Sequence, residues 1–226
     1  MGGRHMKLLR DAAIKYIVGL LLVGTMLFVP AGSLFFINGW LFIGLLFLPM
    51  LVLGIVLFFK APQLLQQRLD AKEKESKQKG VVAVSGLLFV VGFAVAGLDY
   101  RFGWSHVPTW VVVAASAILL IPYALYAEVM RENTYLSRTV KVQQGQQVIE
   151  KGLYAIVRHP MYAVTVCLFL AIPVVLGSWW SLLCFLPYVV VIIVRIQDEE
   201  QLLAAELTGY SDYQKRVRYR LLPFIW

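Results

Sequence analysis

Charge is scarce in this chain of 226 residues: 15% of it is Asp, Glu, Lys or Arg, and 60% is apolar. Ordinary soluble domains carry nearer a quarter charged residues, so the composition argues against a soluble enzyme, a coiled coil and a disordered chain. Cysteine is nearly absent. Cys167 and Cys184 both lie in apolar stretches, with no C-x-x-C and no disulfide framework. The three histidines, His5, His106 and His159, are too far apart in sequence for a zinc pattern, so no metal is expected. There is no G-x-G-x-x-G and no Walker loop. Residues 1–5 lead into a His-Met junction and read as a cloning leader, with Met6 as the expected start. No small-residue cleavage site follows a short apolar core, so no cleavable signal peptide is expected.

What remains is long apolar runs. Residues 16–59 contain no charge, which is too long for one helix through a core of about 30 Å, and the Pro30-Ala31-Gly32-Ser33 cluster is the natural break. The expected spans are 14–29, 34–59, 81–98 and 110–127. A second charge-free run over 159–194 can break at Gly177-Ser178 into spans over 161–176 and 179–194. The expectation is an all-α integral membrane protein of about six transmembrane helices, or five if the last pair is re-entrant. It divides into a four-helix membrane region, 6–127, and a catalytic region, 128–226, made of a helical hairpin and a tail.

Six spans put both termini, the 60–80 linker and the 128–160 segment on one side. That side holds all of the 21 Lys and Arg residues except Arg101, so it is expected to face the cytoplasm. The net charge of +8 then reflects topology and contact with lipid headgroups, and no nucleic-acid role is expected. The spans carry few polar residues beyond Asn38, which argues against a transporter.

Chemistry is concentrated after Glu128. Tyr154, Arg158, His159, Pro160, Met161 and Tyr162 cluster at the mouth of a span, where free N–H groups beside Arg and His suit an anionic ligand group. Taken singly, Pro160 is a common first helical residue, Arg158 a snorkelling anchor and the tyrosines an interfacial belt. Arg195 and Glu199 are four residues apart and share a helical face, either as a local surface pair or as a cation and carboxylate held for a ligand. Beyond them, residues 202–213 alternate apolar and charged positions as an amphipathic helix would, and the last six residues read as an interfacial anchor. Residues 139–142 read as a short extended piece.

The sequence Gly152-x-Tyr154-x-x-x-Arg158-His159-Pro160-x-Tyr162, then Arg195-x-x-x-Glu199-Glu200, then Tyr210-x-x-Tyr213 and an Arg-Val…Leu-Pro ending, resembles the isoprenylcysteine carboxyl methyltransferase family over about 100 residues. The resemblance implies methyl transfer from S-adenosylmethionine to a carboxylate on a lipophilic membrane substrate, at a cytoplasmic site built from the C-terminal half. It implies cofactor contacts from Tyr154, His159, Pro160, Met161, Tyr162, Glu199 and Glu200. Gln146, Gln147, Val148 and Ile149 would line the adenosyl side. Arg195 and Glu199 are implied as the catalytic pair, with Arg195 on the substrate carboxylate and Arg158 as the alternative there. Two departures stand out: the histidine often found near Gln146 in the family is absent, and six spans differ from its best-known eukaryotic members. A carboxylate is ionised near pH 7 and needs no general base. A phospholipid amine would need a proton acceptor, for which Glu199 or Glu200 stands ready. The Arg-His-Pro-x-Tyr cluster and the Tyr219-Arg220-x-x-Pro223 ending also resemble membrane sterol reductases, which use NADPH.

Overall fold

The computed structural model describes residues 2–69, 76–136 and 142–226. It is all-helical, with no strand among those residues. The elements are α1 (Gly2–Ala31), α2 (Ile37–Lys60), α3 (Pro62–Leu69), α4 (Ser76–Phe102), α5 (Thr109–Glu132), a 3-10 turn (Gly152–Ala155), α6 (Pro160–Val175), α7 (Trp179–Phe185), α8 (Pro187–Glu206) and α9 (Tyr210–Arg216). Of the extended piece expected over 139–142, residues 139–141 lie outside the described ones, as does part of the 60–80 linker.

Five helices among the described residues are long and apolar enough to cross a bilayer: His5–Ala31, Ile37–Lys60, Lys79–Phe102, Thr109–Glu132 and Trp179–Glu206. Their large apolar side chains point outward in numbers no soluble protein tolerates; Phe59 is 77% exposed and Trp110 74%. The chain is thus a multi-pass membrane protein. The fifth crossing combines α7 and α8. Leu186 keeps helical dihedrals of −54° and −42°, so the helical path runs on from α7 into α8 through Pro187, which has no N–H to donate. The helix continues past the expected end at 194 because 195–206 is rich in Gln, Glu, Leu and Ala; Gly209, at φ 86°, comes after its end. The 16 residues of α6 reach only about 24 Å, short of a full hydrocarbon core.

The break expected near 30–33 occurs at Gly32, whose φ of 63° ends α1 just after Pro30. Gly177 and Ser178 separate α6 from α7 as expected, and the Ser178 hydroxyl caps α7 by accepting from the Ser181 N–H. The short α3 was not expected. It starts on Pro62, buries Leu64 and Leu65, and holds α1 through a hydrogen bond from the Lys15 ammonium to the Leu69 carbonyl.

The core includes Leu27, Phe36, Phe42, Phe93, Leu119, Ile172 and Phe185, drawn from the helices and from the loop before α2. Lipid offers no hydrophobic drive between helices, so close backbone approach matters. At Gly97 a Cβ would stand 2.5 Å from the Leu27 carbonyl oxygen, which sets how closely α4 meets α1. At that same end Asp99 is buried, accepting from the Ser105 N–H at 2.6 Å, the Ser105 hydroxyl at 2.6 Å and the Ser178 hydroxyl. The α4–α5 loop is thereby pinned to the α6–α7 turn. Toward the opposite end, residues of α1 and α4 border a large cavity.

Candidate functional site

The cavity measures about 1210 Å³. Its wall is taken from one end of each helix: residues 9–23 of α1, 46–59 of α2, 81–89 of α4 and 161–169 of α6. No lining residue comes from the Gly97–Asp99 end. The α1–α2–α4 side is apolar, with Leu22, Phe47, Phe58 and Phe89. The other side is polar and is built from the chain after Asn133.

A local architecture holds that polar side in place. Gly152 has φ 59°, and a Cβ there would lie 1.5 Å from a Glu132 carboxylate oxygen, so another residue would be strained and would displace that carboxylate. The Glu132 carboxylate accepts from the Leu153 N–H at 3.0 Å and opens the 3-10 turn. That turn presents Tyr154, whose hydroxyl accepts from the Asn133 amide at 2.9 Å and whose carbonyl accepts from the Tyr213 hydroxyl at 2.6 Å. Burial pushes the Tyr154 phenol well above its ordinary range. The Asn133 bond opposes this, the Glu199 and Glu132 carboxylates add to it, and the Arg68 guanidinium opposes it. Burial likewise raises Tyr210 and Tyr213.

Arg158 and His159 follow, and their backbone N–H groups donate to the carbonyls of Tyr219 and Arg220, both at 2.9 Å. Glu200 is the hub of this junction. One of its oxygens accepts from Arg158 Nε at 2.6 Å and lies 3.2 Å from His159 Nε2; the other accepts from Arg220 Nε at 2.8 Å. Arg158 also donates through Nη1 to the carbonyls of Val217 and Arg218. The guanidinium of Arg220 lies 5.1 Å from the centre of the Trp226 ring. Part of the C-terminal segment therefore packs inward: Trp226 lies against the Tyr188–Ile192–Ile196 cluster, while Phe224 and Ile225 stay exposed.

Most of the residues expected at the site come together here. Gln146, Gln147, Val148 and Ile149 line the cavity, as do Tyr154, His159, Met161 and Tyr162. Arg195 and Glu199 line it from α8. Pro160 and Glu200 do not. Pro160 is the buried first residue of α6, and the Glu200 carboxylate is used up behind the wall by its three partners. Arg158 lines the cavity, but its described bonds run to Glu200 and the C-terminal segment, so it ties the tail down.

Arg195 and Glu199 share one face of α8 as expected, with a third group bound to both. The Tyr162 hydroxyl accepts from Arg195 Nε at 2.9 Å and donates to a Glu199 carboxylate oxygen. The arginine donates to the phenol oxygen and so leaves its proton for Glu199. The arrangement can position a polar head at the edge of an apolar cavity and can take a proton from it. Sequence reasoning did not anticipate Arg68 and Tyr126, which also line the cavity. The guanidinium of Arg68 donates to the Tyr126 hydroxyl and sits 5.3 Å from its ring centre. The only sequence signal was a lone arginine in a polar linker.

Residues 109–208 match the phospholipid methyltransferase family model. The match runs from the start of α5 past the end of α8. It includes Tyr162, Arg195, Glu199 and Glu200 and leaves out α1–α4, α9 and the C-terminal tail. The chain is also similar to the Delta(14)-sterol reductase TM7SF2 of Mus musculus, at 30% identity over 99 residues. That similarity covers 39% of this chain and 22% of the reductase, so the chain spans a small part of that relative's length.

Proposed function

We propose that the protein transfers a methyl group from S-adenosylmethionine to the polar head of a membrane lipid, with an amine as acceptor. The observation that carries this reading is the Arg195–Tyr162–Glu199 chain, set where the polar and apolar parts of one cavity meet. The donor set suits a sulfonium nucleoside. Glu199 brings a carboxylate to the cavity, Tyr154 and Tyr210 bring aromatic surface, and Val148, Leu203 and Leu207 an apolar wall. The phosphates of a nicotinamide dinucleotide would call for cations beside residues 146–149 and His159, and the arginine there, Arg158, is committed to Glu200. Residues 146–149, Tyr154, His159 and Met161 would hold the cofactor, which supplies an electrophilic methyl group.

An amine must be neutral to attack. Tyr162 would accept its proton while passing its own to Glu199, a two-bond relay fixed in direction by Arg195. The bound cofactor would supply the electrophilic methyl group; the nitrogen's proton would replace the one Tyr162 passes on, leaving the phenol intact and Glu199 protonated. Alignment at the dry edge of the cavity supplies much of the rate. The charge-rich end would face the cytoplasm, because with the short α6 counted as a sixth crossing it holds all but one of the Lys and Arg residues.

Two other readings have specific support. The resemblance to isoprenylcysteine carboxyl methyltransferases favours a carboxylate acceptor oriented by Arg195. The similarity to a sterol reductase favours NADPH-dependent reduction. Thermal unfolding of the detergent-purified chain separates the cofactors: S-adenosylhomocysteine is expected to raise Tm and NADPH to leave it unchanged. Methyl-labelled S-adenosylmethionine with mixed membrane lipids separates the acceptors. Label on an amine survives mild alkali; label on a carboxyl ester is released as methanol. Stabilisation by NADPH alone overturns the methyltransferase reading, and alkali-labile product overturns the amine.

A further inference from the structure

Two cations on the cavity wall, Lys15 of α1 and Arg68 of α3, have no part in the methyl-transfer chemistry and lie outside the region that matches the family model. We infer that Lys15 and Arg68 form a subsite for the phosphate of a membrane lipid whose acyl chains run along the apolar wall made by α1, α2 and α4. As a subsite for substrate, this rests on the lipid methyl-transfer reading; as a binding site, it stands alone.

Depth is the first argument. Lys15 is the last charged residue before the uncharged run 16–59, so it marks where hydrocarbon begins on that face. Lipid phosphates sit at that level, just outside the hydrocarbon core. Direction is the second. An interfacial lysine or arginine ordinarily snorkels outward to water and bulk headgroups. Here both are tied to other protein elements, Lys15 while remaining exposed. Arg68 is half-buried and held over the Tyr126 ring, with a hydrogen bond to the Tyr126 hydroxyl, and Tyr126 also lines the cavity. Lys15 donates to the carbonyl of Leu69, the residue after Arg68, which brings the two cations to one rim.

Charge is the third argument. Among the described residues no carboxylate pairs with Lys15 or Arg68. Two positive charges bordering a largely apolar cavity suit an anion. A guanidinium 5.3 Å from the Tyr126 ring centre, with one N–H on the Tyr126 hydroxyl, keeps its other N–H groups for phosphate oxygens, and an ammonium adds a point charge beside it. Arg68 also borders the same space as the chemistry, since Arg68, Tyr154 and Glu199 line one cavity. Beside the cations, Leu22, Phe47, Leu51, Phe58 and Val82 of the same cavity provide the apolar surface for acyl chains. The cofactor reading places its ligand at 146–149 and His159, on different elements from α1 and α3.

The test uses the full chain in dodecyl maltoside, reading the ligand-induced rise in Tm against lipid concentration. The probes are dioleoyl phosphatidic acid, dioleoylglycerol with the same chains and no phosphate, oleate, inorganic phosphate and S-adenosylhomocysteine. The variants are Arg68→Ala, Arg68→Lys, Lys15→Ala and, as a control outside the cavity, Lys7→Ala. Phosphatidic acid is expected to stabilise the parent where dioleoylglycerol, oleate and phosphate do not. Arg68→Ala and Lys15→Ala are expected to weaken phosphatidic acid roughly tenfold, the scale of one charge-assisted hydrogen bond. Arg68→Lys should recover part of that loss, and Lys7→Ala should match the parent.

Several results overturn the subsite. They are equal binding of phosphatidic acid and dioleoylglycerol, oleate as effective as phosphatidic acid, unaltered phosphatidic acid binding in Arg68→Ala, and Lys7→Ala as weak as Arg68→Ala. Loss of S-adenosylhomocysteine with phosphatidic acid retained in Arg68→Ala also overturns it, by assigning the cations to the cofactor. If S-adenosylhomocysteine fails on the parent while the phosphatidic acid contrast holds, the methyl-transfer reading falls and the lipid site stands.

Discussion

Two buried carboxylates stand at opposite ends of α6, and their partners differ in kind. Asp99 is 2% exposed and accepts from two serine hydroxyls and one backbone N–H. Glu200 is 5% exposed and gathers two arginines and a histidine. The first end is closed, with α1 and α4 in backbone contact at Gly97 and no cavity wall nearby. The second borders the cavity. The contrast separates two uses of a buried acid. One pins loops together where nothing need enter; the other absorbs the positive charge of a functional motif so that the adjacent Glu199 can face the cavity.

Removing each acid tests that contrast. Glu200→Ala leaves Arg158 buried without its carboxylate and frees His159 and Arg220. Breaking a buried ion pair from one side typically costs about 3–5 kcal/mol. We expect that scale of loss in detergent unfolding, together with loss of S-adenosylhomocysteine binding, because His159 loses its anchor. Asp99→Ala removes hydrogen bonds to neutral donors only, worth about 1–3 kcal/mol. It should lower Tm while leaving nucleoside affinity at the parental value. If Asp99→Ala weakens the nucleoside as much as Glu200→Ala does, the two ends are not independent and the contrast fails.

Tyr162→Phe sharpens the comparison inside the functional end. The ring stays and only the hydroxyl between Arg195 and Glu199 is lost, so stability should change by no more than about 1 kcal/mol. Turnover on an amine lipid should nonetheless fall by about 10²-fold, the scale of a general-base contribution. Steady-state kinetics at saturating S-adenosylmethionine is the measurement. Parental kcat would make the Tyr162 bridge structural.

Much of this arrangement is legible in the sequence, and the reasons for what is not are physical. The helices announce themselves through uncharged runs, and the Gly32 and Gly177-Ser178 breaks through residues that tolerate turns. The motif residues also come together at one cavity, because the turn at Gly177-Ser178 folds α8 back along α6 and brings the end of one to the start of the other. The pairing within the motif is different. Arg158 meets Glu200 across 42 positions, and Tyr162 meets Glu199 across 37. Nothing local distinguishes which of two adjacent glutamates faces inward; only the turn of α8 against α6 decides it. The Arg195–Glu199 spacing suggests a two-residue pair, while the structure places a phenol in contact with both. The helix α3 is hidden because eight residues with Gln and Arg carry too little apolar periodicity to announce burial of Leu64 and Leu65.

The cavity draws its walls from one end of the helices and stops before Gly97 and Asp99, which has a consequence for the membrane around it. If lipid is the substrate, a cavity placed this way would be reached from one leaflet only. Lipids of the far leaflet would meet the helix packing at Gly97 and would have to cross the bilayer by other means before reaching Tyr162 and Glu199. Any lipid the protein modifies would be released into the monolayer it came from, so sustained activity would make the two faces of the membrane chemically unlike.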